Sequence, residues 1–212
     1  MSPEQLRLLH LGQGAHGGID QGACMMEAAA WVAGEPWSDH PSCVSPVIGQ
    51  FCRSWNDALN DEDRHRLLGS YVVKVLGTRT TAEDEETRAW LATDWLVRVC
   101  TLAWLRLAKL DEHARALESL ARICDAVSAQ SAQSTLDAAR KASAAARDAA
   151  WDAASAAASA AARDAASAAA WAAARPTVER LQLSALELLD GMIAVGRQEV
   201  PVIEERVALL AG

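Results

Sequence analysis

The densest group of side chains that could do chemistry lies in the first quarter of the chain. Cys24 and Glu27 are three residues apart on a predicted helix, and His40 and Cys43 are three residues apart in a loop bordered by prolines. Zinc accepts thiolate, imidazole and carboxylate ligands in a tetrahedral arrangement. Because the two spacings match, these four side chains could surround one ion, and the sequence predicts a candidate zinc site at residues 24–43.

The same segment allows a second hypothesis, which is a cysteine-dependent enzyme. Cys24 is predicted in the first turn of a helix that follows a glycine-rich loop, where the helix dipole lowers the pKa of a thiol. His40, oriented by Asp39, could act as its general base. The run Gln-Gly-Ala-Cys at 21–24 superficially resembles papain-like proteases. Those enzymes take their histidine from a β-rich half, and this chain has no predicted strand.

A third hypothesis is that these residues only pack. A free cysteine is most often a small buried hydrophobe, so Cys24 would lie beside Ala28. His40 would then hydrogen-bond the loop backbone near Asp39. Trp37, in the same loop, would be either a plug or an exposed anchor for a partner. The residues alone leave the three hypotheses open.

The elements that position these residues are predicted to be helices throughout. Hydrophobic side chains recur at helical spacing and no segment is typical of a strand. Asp20 and Asp61 are predicted to cap helices, and Ser45-Pro46 begins another. Residues 90–105 are apolar around most of the circumference, which predicts a central, buried helix. The predicted fold class is all-α, an irregular helical bundle with one long alanine-rich helix.

The alanine-rich tract contains 22 of the 46 alanines of the chain, between Lys141 and Arg175. Residues 143–158 and 159–174 repeat with 13 of 16 positions identical. Since alanine is the best helix former, we predict one helix over 135–175, about 60 Å long. A compact domain of 212 residues is only about 45 Å across. The helix must therefore protrude, break or be covered by another chain.

We divide the chain into four predicted segments. Residues 1–127 form a helical core domain with the Cys/His loop, and residues 128–134 are a connection. Residues 135–175 form the long helix, which Pro176 ends or kinks. Residues 176–212 form C-terminal helices that pack on the core.

The long helix is predicted to bind a protein partner or a second copy of the chain. Its large side chains are the candidate contacts, together with Trp37 from the loop: Arg147, Trp151, Arg163 and Trp171. A homodimer through this helix is the simplest version. An origin by slippage of repeated DNA is the alternative explanation for the tract.

Composition excludes several classes of function. The net charge is −8 and no basic cluster occurs, so nucleic acid is not the expected partner. Charged residues interrupt every long apolar stretch, so no membrane span is predicted. The N-terminus lacks the pattern of a signal peptide, and five cysteines do not suit a secreted disulfide scaffold. We expect a cytoplasmic protein.

The run CMMEAAAWVAGEPWSDHPSCVSPVIGQFCRSWNDAL at residues 24–59 resembles a group of alanine-rich proteins of actinobacteria and their phages. Members share the cysteine-methionine-glutamate-alanine helix, the Gly-Glu-Pro-x-Ser-Asp-His-Pro-x-Cys loop and a C-terminal alanine tract. The resemblance implies a high-GC bacterial or phage source and brings no activity with it.

These observations together predict a non-enzymatic helical protein that binds a partner or assembles through the alanine-rich helix. A structural zinc or thiol site at residues 24–43 would accompany this role. The alternative is a metal- or cysteine-dependent enzyme centred on Cys24, Glu27, His40 and Cys43, with Asp39 orienting the histidine.

Overall fold

The computed structural model describes the backbone of residues 11–156 and 160–210, and the side chains of residues 11–149 and 169–208. Over these ranges the regular structure is helical and no strand occurs. An isolated parallel bridge joins Leu11 and Ala23. The predicted all-α fold class is confirmed. No helix in the described ranges is both long and apolar enough to cross a membrane.

The chain forms two compact units, and their limits differ from the predicted segments. Unit 1 comprises Met1–Ala89 and Leu189–Gly212, and unit 2 comprises Trp90–Leu188. Unit 1 therefore includes the C-terminal end of the chain, where Ile203 N–H donates to the carbonyl of Val32 at 2.9 Å. The predicted limit at residue 127 falls inside a helix of unit 2.

In the described residues, unit 1 contains a 3-10 turn at Ile19–Gln21 and short helices that bury small and aliphatic side chains. Its helices are α1 (Met25–Val32), α2 (Pro46–Ala58), α3 (Asp61–Leu68), α4 (Tyr71–Lys74), most of α5 (Ala82–Trp95) and α10 (Glu204–Leu210). Its core includes Met25, Met26, Val32, Ile48, Cys52, Leu68, Val72, Leu189 and Met192.

Helix α1 starts later than the sequence predicts. Asp20 lies in the 3-10 turn, and Cys24 is the N-cap, with its sulfur accepting from the backbone N–H of Glu27. Gly22 lies between them with φ 109° and ψ 180°, a conformation that is essentially reserved for glycine. The helix cannot begin until the chain has passed this residue.

The next two helices begin close to their predicted starts. Ser45 caps α2 with Pro46 in the first turn, as predicted, and its hydroxyl accepts from Ile48 N–H at 3.3 Å. Asn60 caps α3 in place of the predicted Asp61. Both amide and carboxylate side chains are good caps, so the sequence located the helix start to within one residue.

Unit 2 is built from helices around a smaller core. After the end of α5 come a π-helical turn (Leu96–Thr101), α6 (Leu102–Leu107), α7 (Asp111–Glu118), α8 (Ala126–Ala156) and most of α9 (Ala160–Ala194). The core cluster consists of Val97, Leu102, Leu105, Ala114, Leu117, Ile123, Ala132 and Ala139. The predicted connection at 128–134 lies within α8, because Ala132 packs in this core.

The predicted helix over 135–175 coincides with parts of α8 and α9, and residues 157–159 lie outside the described residues. Pro176 lies inside α9 and does not end it. Proline in a helix interior costs about 3 kcal/mol, but alanine and leucine, which favour helix, occupy both sides. Of the two predicted effects of Pro176, the end of the helix is therefore wrong, and the kink stays a prediction.

The prediction of a central, buried helix over residues 90–105 was also wrong. Leu96 is 55% exposed, Val99 is 37% exposed and Trp104 is 42% exposed. A π-helical turn contains one residue more than an α-helical turn, so the hydrophobic positions on either side of it no longer share one face. Unit 2 consequently presents large apolar side chains at its surface.

Candidate functional site

The buried carboxylate of Glu27 is the centre of the Cys/His segment. One oxygen, Oε1, accepts from His16 N–H at 2.7 Å. The other, Oε2, accepts from Cys24 N–H at 2.7 Å and contacts His16 Nδ1 at 2.8 Å. Because an ionised carboxylate has no proton to give, Nδ1 must be the donor in this contact. Glu27 therefore joins the first turn of α1 to the glycine-rich loop before it.

The pKa of Glu27 reflects this surrounding. Burial by itself would raise the pKa, because it disfavours the charged form. The hydrogen bonds from the backbone of His16 and Cys24, and then from their side chains, outweigh that effect and lower the pKa below its ordinary value of 4.5. The carboxylate is therefore held in its charged form although its side chain is only 3% exposed.

Two glycines enclose the imidazole of His16. A Cβ on Gly12 would lie 2.6 Å from His16 Nε2, and a Cβ on Gly22 would lie 3.1 Å from His16 Cδ2. Any side chain at Gly12 would displace the ring, and Gly22 also has the positive φ that only glycine adopts readily. The glycines thus allow the histidine to reach Glu27 from a loop.

Two further side chains hold this loop against the helices. Asn56, which is fully buried, accepts from Met25 N–H at 3.2 Å and donates to the carbonyl of Gly12 at 2.8 Å. The indole N–H of Trp37 donates to the carbonyl of His16 at 2.7 Å. Trp37 is part-buried, so of its two predicted roles the structure favours the plug.

The thiol of Cys24 is not prepared for nucleophilic chemistry. Burial raises its pKa to about 12, although the backbone N–H groups of Glu27 and Met26 act in the opposite direction. The thiolate is the nucleophilic form of cysteine, so at neutral pH Cys24 remains in its unreactive, protonated form. Its predicted base, His40, is an exposed side chain that lies 3.7 Å from Asp39.

The second predicted pair, His40 and Cys43, belongs to a separate hydrogen-bonded loop. The backbone N–H groups of Ser42 and Cys43 donate to the two oxygens of Glu35. Burial, together with the neighbouring Glu35 carboxylate, raises the pKa of the Cys43 thiol to about 11. This loop therefore closes on Glu35 and not on Glu27.

The structure does not gather the four predicted zinc ligands. In the described ranges, no group of three or more His, Cys, Asp or Glu side chains is arranged to hold a metal ion. The carboxylate of Glu27 already accepts three hydrogen bonds, and the exposed His40 belongs to another loop. Zinc binding by this protein stays a prediction from sequence, and metal analysis of protein purified without chelator tests it.

The predicted partner-binding residues of the tract lie on α8 and α9. Trp171 is 71% exposed and the Arg147 side chain is 80% exposed. Arg147 lies 3.4 Å from the carboxylate of the neighbouring Asp148. The side chains of Trp151 and Arg163 lie outside the described residues.

Sequence reasoning missed the part that His16 plays. Cys24 and Glu27 do interact, as their three-residue spacing indicates, but as a helix cap. The available signal was the position of His16 between Gly12 and Gly22, since glycines around a lone histidine allow close backbone approach. No local pattern, however, indicates that the loop with His16 lies close to Glu27 of α1.

Comparisons with protein-family models, with curated proteins and with solved structures found no match.

Proposed function

We propose that this protein is a non-enzymatic helical assembly protein that self-associates through the alanine-rich parts of α8 and α9. The observation that carries the proposal is the exposure of residues 169–176 of α9, the part of the alanine-rich tract in this helix whose side chains the structure describes. Residues 169–173 are all exposed, and within 169–176 only Ala174 is even partly buried. Because most helical stability in proteins comes from packing, these exposed residues gain little from their own unit, in contrast to the later part of α9, which buries Ala185 and Leu188.

Small side chains make this segment suitable for contact with another helix. Helix axes approach to about 8–10 Å, and the shorter distances require small residues at the contact. Trp171, 71% exposed, offers a large aromatic anchor in the middle of this small-residue surface. An exposed tryptophan surrounded by alanines is a favourable centre for an interface between two copies.

A cavity beside α8 supports the same proposal. It has a volume of about 410 Å³, and Ser143, Ala146 and Arg147 line it from α8. Trp104 lines its other side and is 42% exposed. An apolar groove next to an exposed alanine helix is typical of a surface that receives a helix. Arg147, predicted as a partner contact, lies at its edge.

Unit 1 would have a structural part in this function. The thiols of Cys24 and Cys43 have raised pKa values, and the Glu27 carboxylate accepts three hydrogen bonds. Neither feature favours the alternative of a cysteine-dependent enzyme. The enzyme alternative would need a reactive thiol, which a thiol-reactive probe at neutral pH would detect.

The molecular mass in solution tests the proposal. Sedimentation velocity or light scattering at micromolar concentrations should give the mass of a dimer for the unaltered chain. The double variant Ala170→Glu/Ala173→Glu should give a monomer, because charged side chains there prevent close helix contact. Glutamate favours helix almost as well as alanine, so helicity by circular dichroism should remain unchanged.

The matched control is Ala116→Glu, which places the same side chain at an exposed position of α7. It should remain dimeric. A wild-type protein that is monomeric over the whole concentration range would refute self-association. An equal loss of mass in the control would show that added negative charge, and not the tract, is responsible.

A further inference from the structure

A second cavity of unit 2 has a different chemical character. It has a volume of about 510 Å³ and lies between residues 98–107, from the π-helical turn and α6, and residues 177–184 of α9. Its size is within the range of small-molecule sites, which is about 300–1,000 Å³. Val99, Leu102 and Leu181 give it an apolar wall.

Three arginines line the same cavity, which is unusual in a chain with a net charge of −8. They are Arg98, Arg106 and Arg180, and the described lining contains no carboxylate. Arginine is the residue best suited to carboxylate and phosphate, because its planar guanidinium offers paired donors. The cavity therefore combines an apolar wall with concentrated positive charge.

The arginines have only weak partners inside the protein. Arg106 pairs with Glu118 at 2.8 Å, but both side chains are at least half exposed. Arg180 donates to the hydroxyl of Thr177 at 3.1 Å. Exposed ion pairs contribute little to stability, so these guanidinium groups can turn toward a ligand at low cost.

Arg98 has a donor that the protein does not use. Its Nε is buried and has no hydrogen-bond partner among the described residues, and its Nη1 lies 3.6 Å from Asp94 Oδ1. A buried charged donor without an acceptor is unfavourable. Arg98 also lies in the π-helical turn Leu96–Thr101, and such turns occur frequently at functional sites.

We propose that this cavity binds a small organic anion that carries an apolar chain. The acidic group, a carboxylate or a phosphate monoester, would lie at Arg98 with Arg106 and Arg180 around it. The chain would lie along Val99, Leu102 and Leu181. If the Arg98 guanidinium reorients toward this acidic group, its Nε gains the hydrogen-bond acceptor that it lacks in the protein. The proposal is independent of self-association, since one concerns a ligand and the other the mass of the assembly.

Isothermal titration calorimetry with four probes, three of which share a ten-carbon chain, tests this proposal. Decanoate and decyl phosphate carry both features, decanol lacks the charge, and acetate lacks the chain. We expect saturable 1:1 binding of at least one decyl anion. Decanol and acetate should bind at least about tenfold more weakly, because each loses one of the two contributions. The anion that binds more tightly, decanoate or decyl phosphate, identifies the preferred acidic group.

Two variants distinguish anion binding in the cavity from nonspecific anion binding to exposed arginines. Arg98→Gln should weaken binding of the decyl anion by about tenfold or more, with decanol binding unchanged. Arg115→Gln is the matched control, because Arg115 is an exposed arginine of unit 2 outside the cavity. It should bind the anion as the unaltered chain does.

Three results would overturn the proposal. The first is the absence of saturable binding of either decyl anion to the full-length protein. The second is binding of decanol as tight as that of decanoate, which would indicate a purely apolar surface. The third is loss of anion binding when raised protein concentration forms dimers, which would assign the cavity to a second copy of the chain.

Discussion

The two units of this protein place polar and apolar side chains in opposite ways. In the described ranges, the buried polar side chains of unit 1 are Glu27, Ser45, Asn56, Arg64, Thr78 and Arg88, whereas unit 2 buries only Thr177. The large hydrophobic side chains that are exposed all belong to unit 2: Leu96, Val99, Trp104, Val127, Trp171 and Leu183. One unit keeps polar groups inside, and the other leaves apolar groups outside.

The buried arginines of unit 1 are hydrogen-bonded to backbone carbonyls, some of which lie far away along the chain. Arg64, 1% exposed, donates to the carbonyls of Asn56, Leu11 and Leu59. Arg88 donates to the carbonyl of Met192 at 3.0 Å. A buried polar group without its partner is costly, so such contacts favour a single arrangement of the chain. Unit 1 is therefore the part whose structure is most closely specified.

Unit 2 has few such contacts, and its surface is suited to binding. Apolar patches on a protein surface commonly mark sites where a partner or ligand binds. One of its cavities is lined by residues of the π-helical turn, and another is lined by small residues of α8. We therefore propose that unit 1 contributes most of the stability and unit 2 the binding surface, which substitutions matched across the units test.

The largest expected effect comes from Glu27→Ala in unit 1, compared with Glu118→Ala in unit 2. Loss of Glu27 leaves three donors without an acceptor and should cost about 3–5 kcal/mol of unfolding free energy. Glu118 forms only a half-exposed pair with Arg106, so its loss should cost less than about 1 kcal/mol. Amide hydrogen exchange, read separately in α1 and α7, measures both. Equal losses would contradict the comparison.

The next effect concerns two glycines. Gly22→Ala should destabilise unit 1 by about 1–3 kcal/mol, because φ 109° is unfavourable for alanine. Gly191→Ala should stabilise the same unit by about 0.5–1 kcal/mol, since nothing lies within 4 Å of the new Cβ and alanine favours helix. Urea unfolding of each variant measures the sign and size of the change in unfolding free energy. A neutral Gly22→Ala would show that the His16 loop is not tightly built.

The pH dependence that Glu27 contributes should appear in unit 1. Because the folded pKa of Glu27 is lowered, its contribution to stability is present above its ordinary value of 4.5 and is lost as the pH falls through the folded pKa. Exchange protection of α1 should therefore fall in acid. In Glu27→Gln, which does not titrate, this part of the pH dependence should disappear. An unchanged profile in that variant would assign the acid effect to other carboxylates.

The smallest expected effect is that of a chelator. The Glu27 network is complete without a metal, because its three donors come from His16 and Cys24. EDTA should therefore leave the unfolding temperature unchanged. A clear decrease, reversed by added zinc, would restore the zinc site predicted from the sequence and would require residues 24–43 to rearrange.

The sequence predicted the features that depend on neighbours along the chain. Helical periodicity gave the all-α class, Ser45-Pro46 gave the start of α2, and the alanine content gave helices on both sides of residues 157–159. The capping pair of Cys24 and Glu27 was visible as a three-residue spacing but was interpreted as a metal site. Capping and metal binding use the same residues, and only the surrounding donors distinguish them.

Sequence by itself determined that this protein is helical and where α2 and α3 begin, because helix formation depends on propensities and hydrogen bonds within a few residues. Tertiary structure alone decided that His16 hydrogen-bonds to Glu27, that Pro176 lies within α9, and that three arginines line one cavity of unit 2. These facts depend on burial and on contacts between residues far apart in the chain, and no local pattern records them.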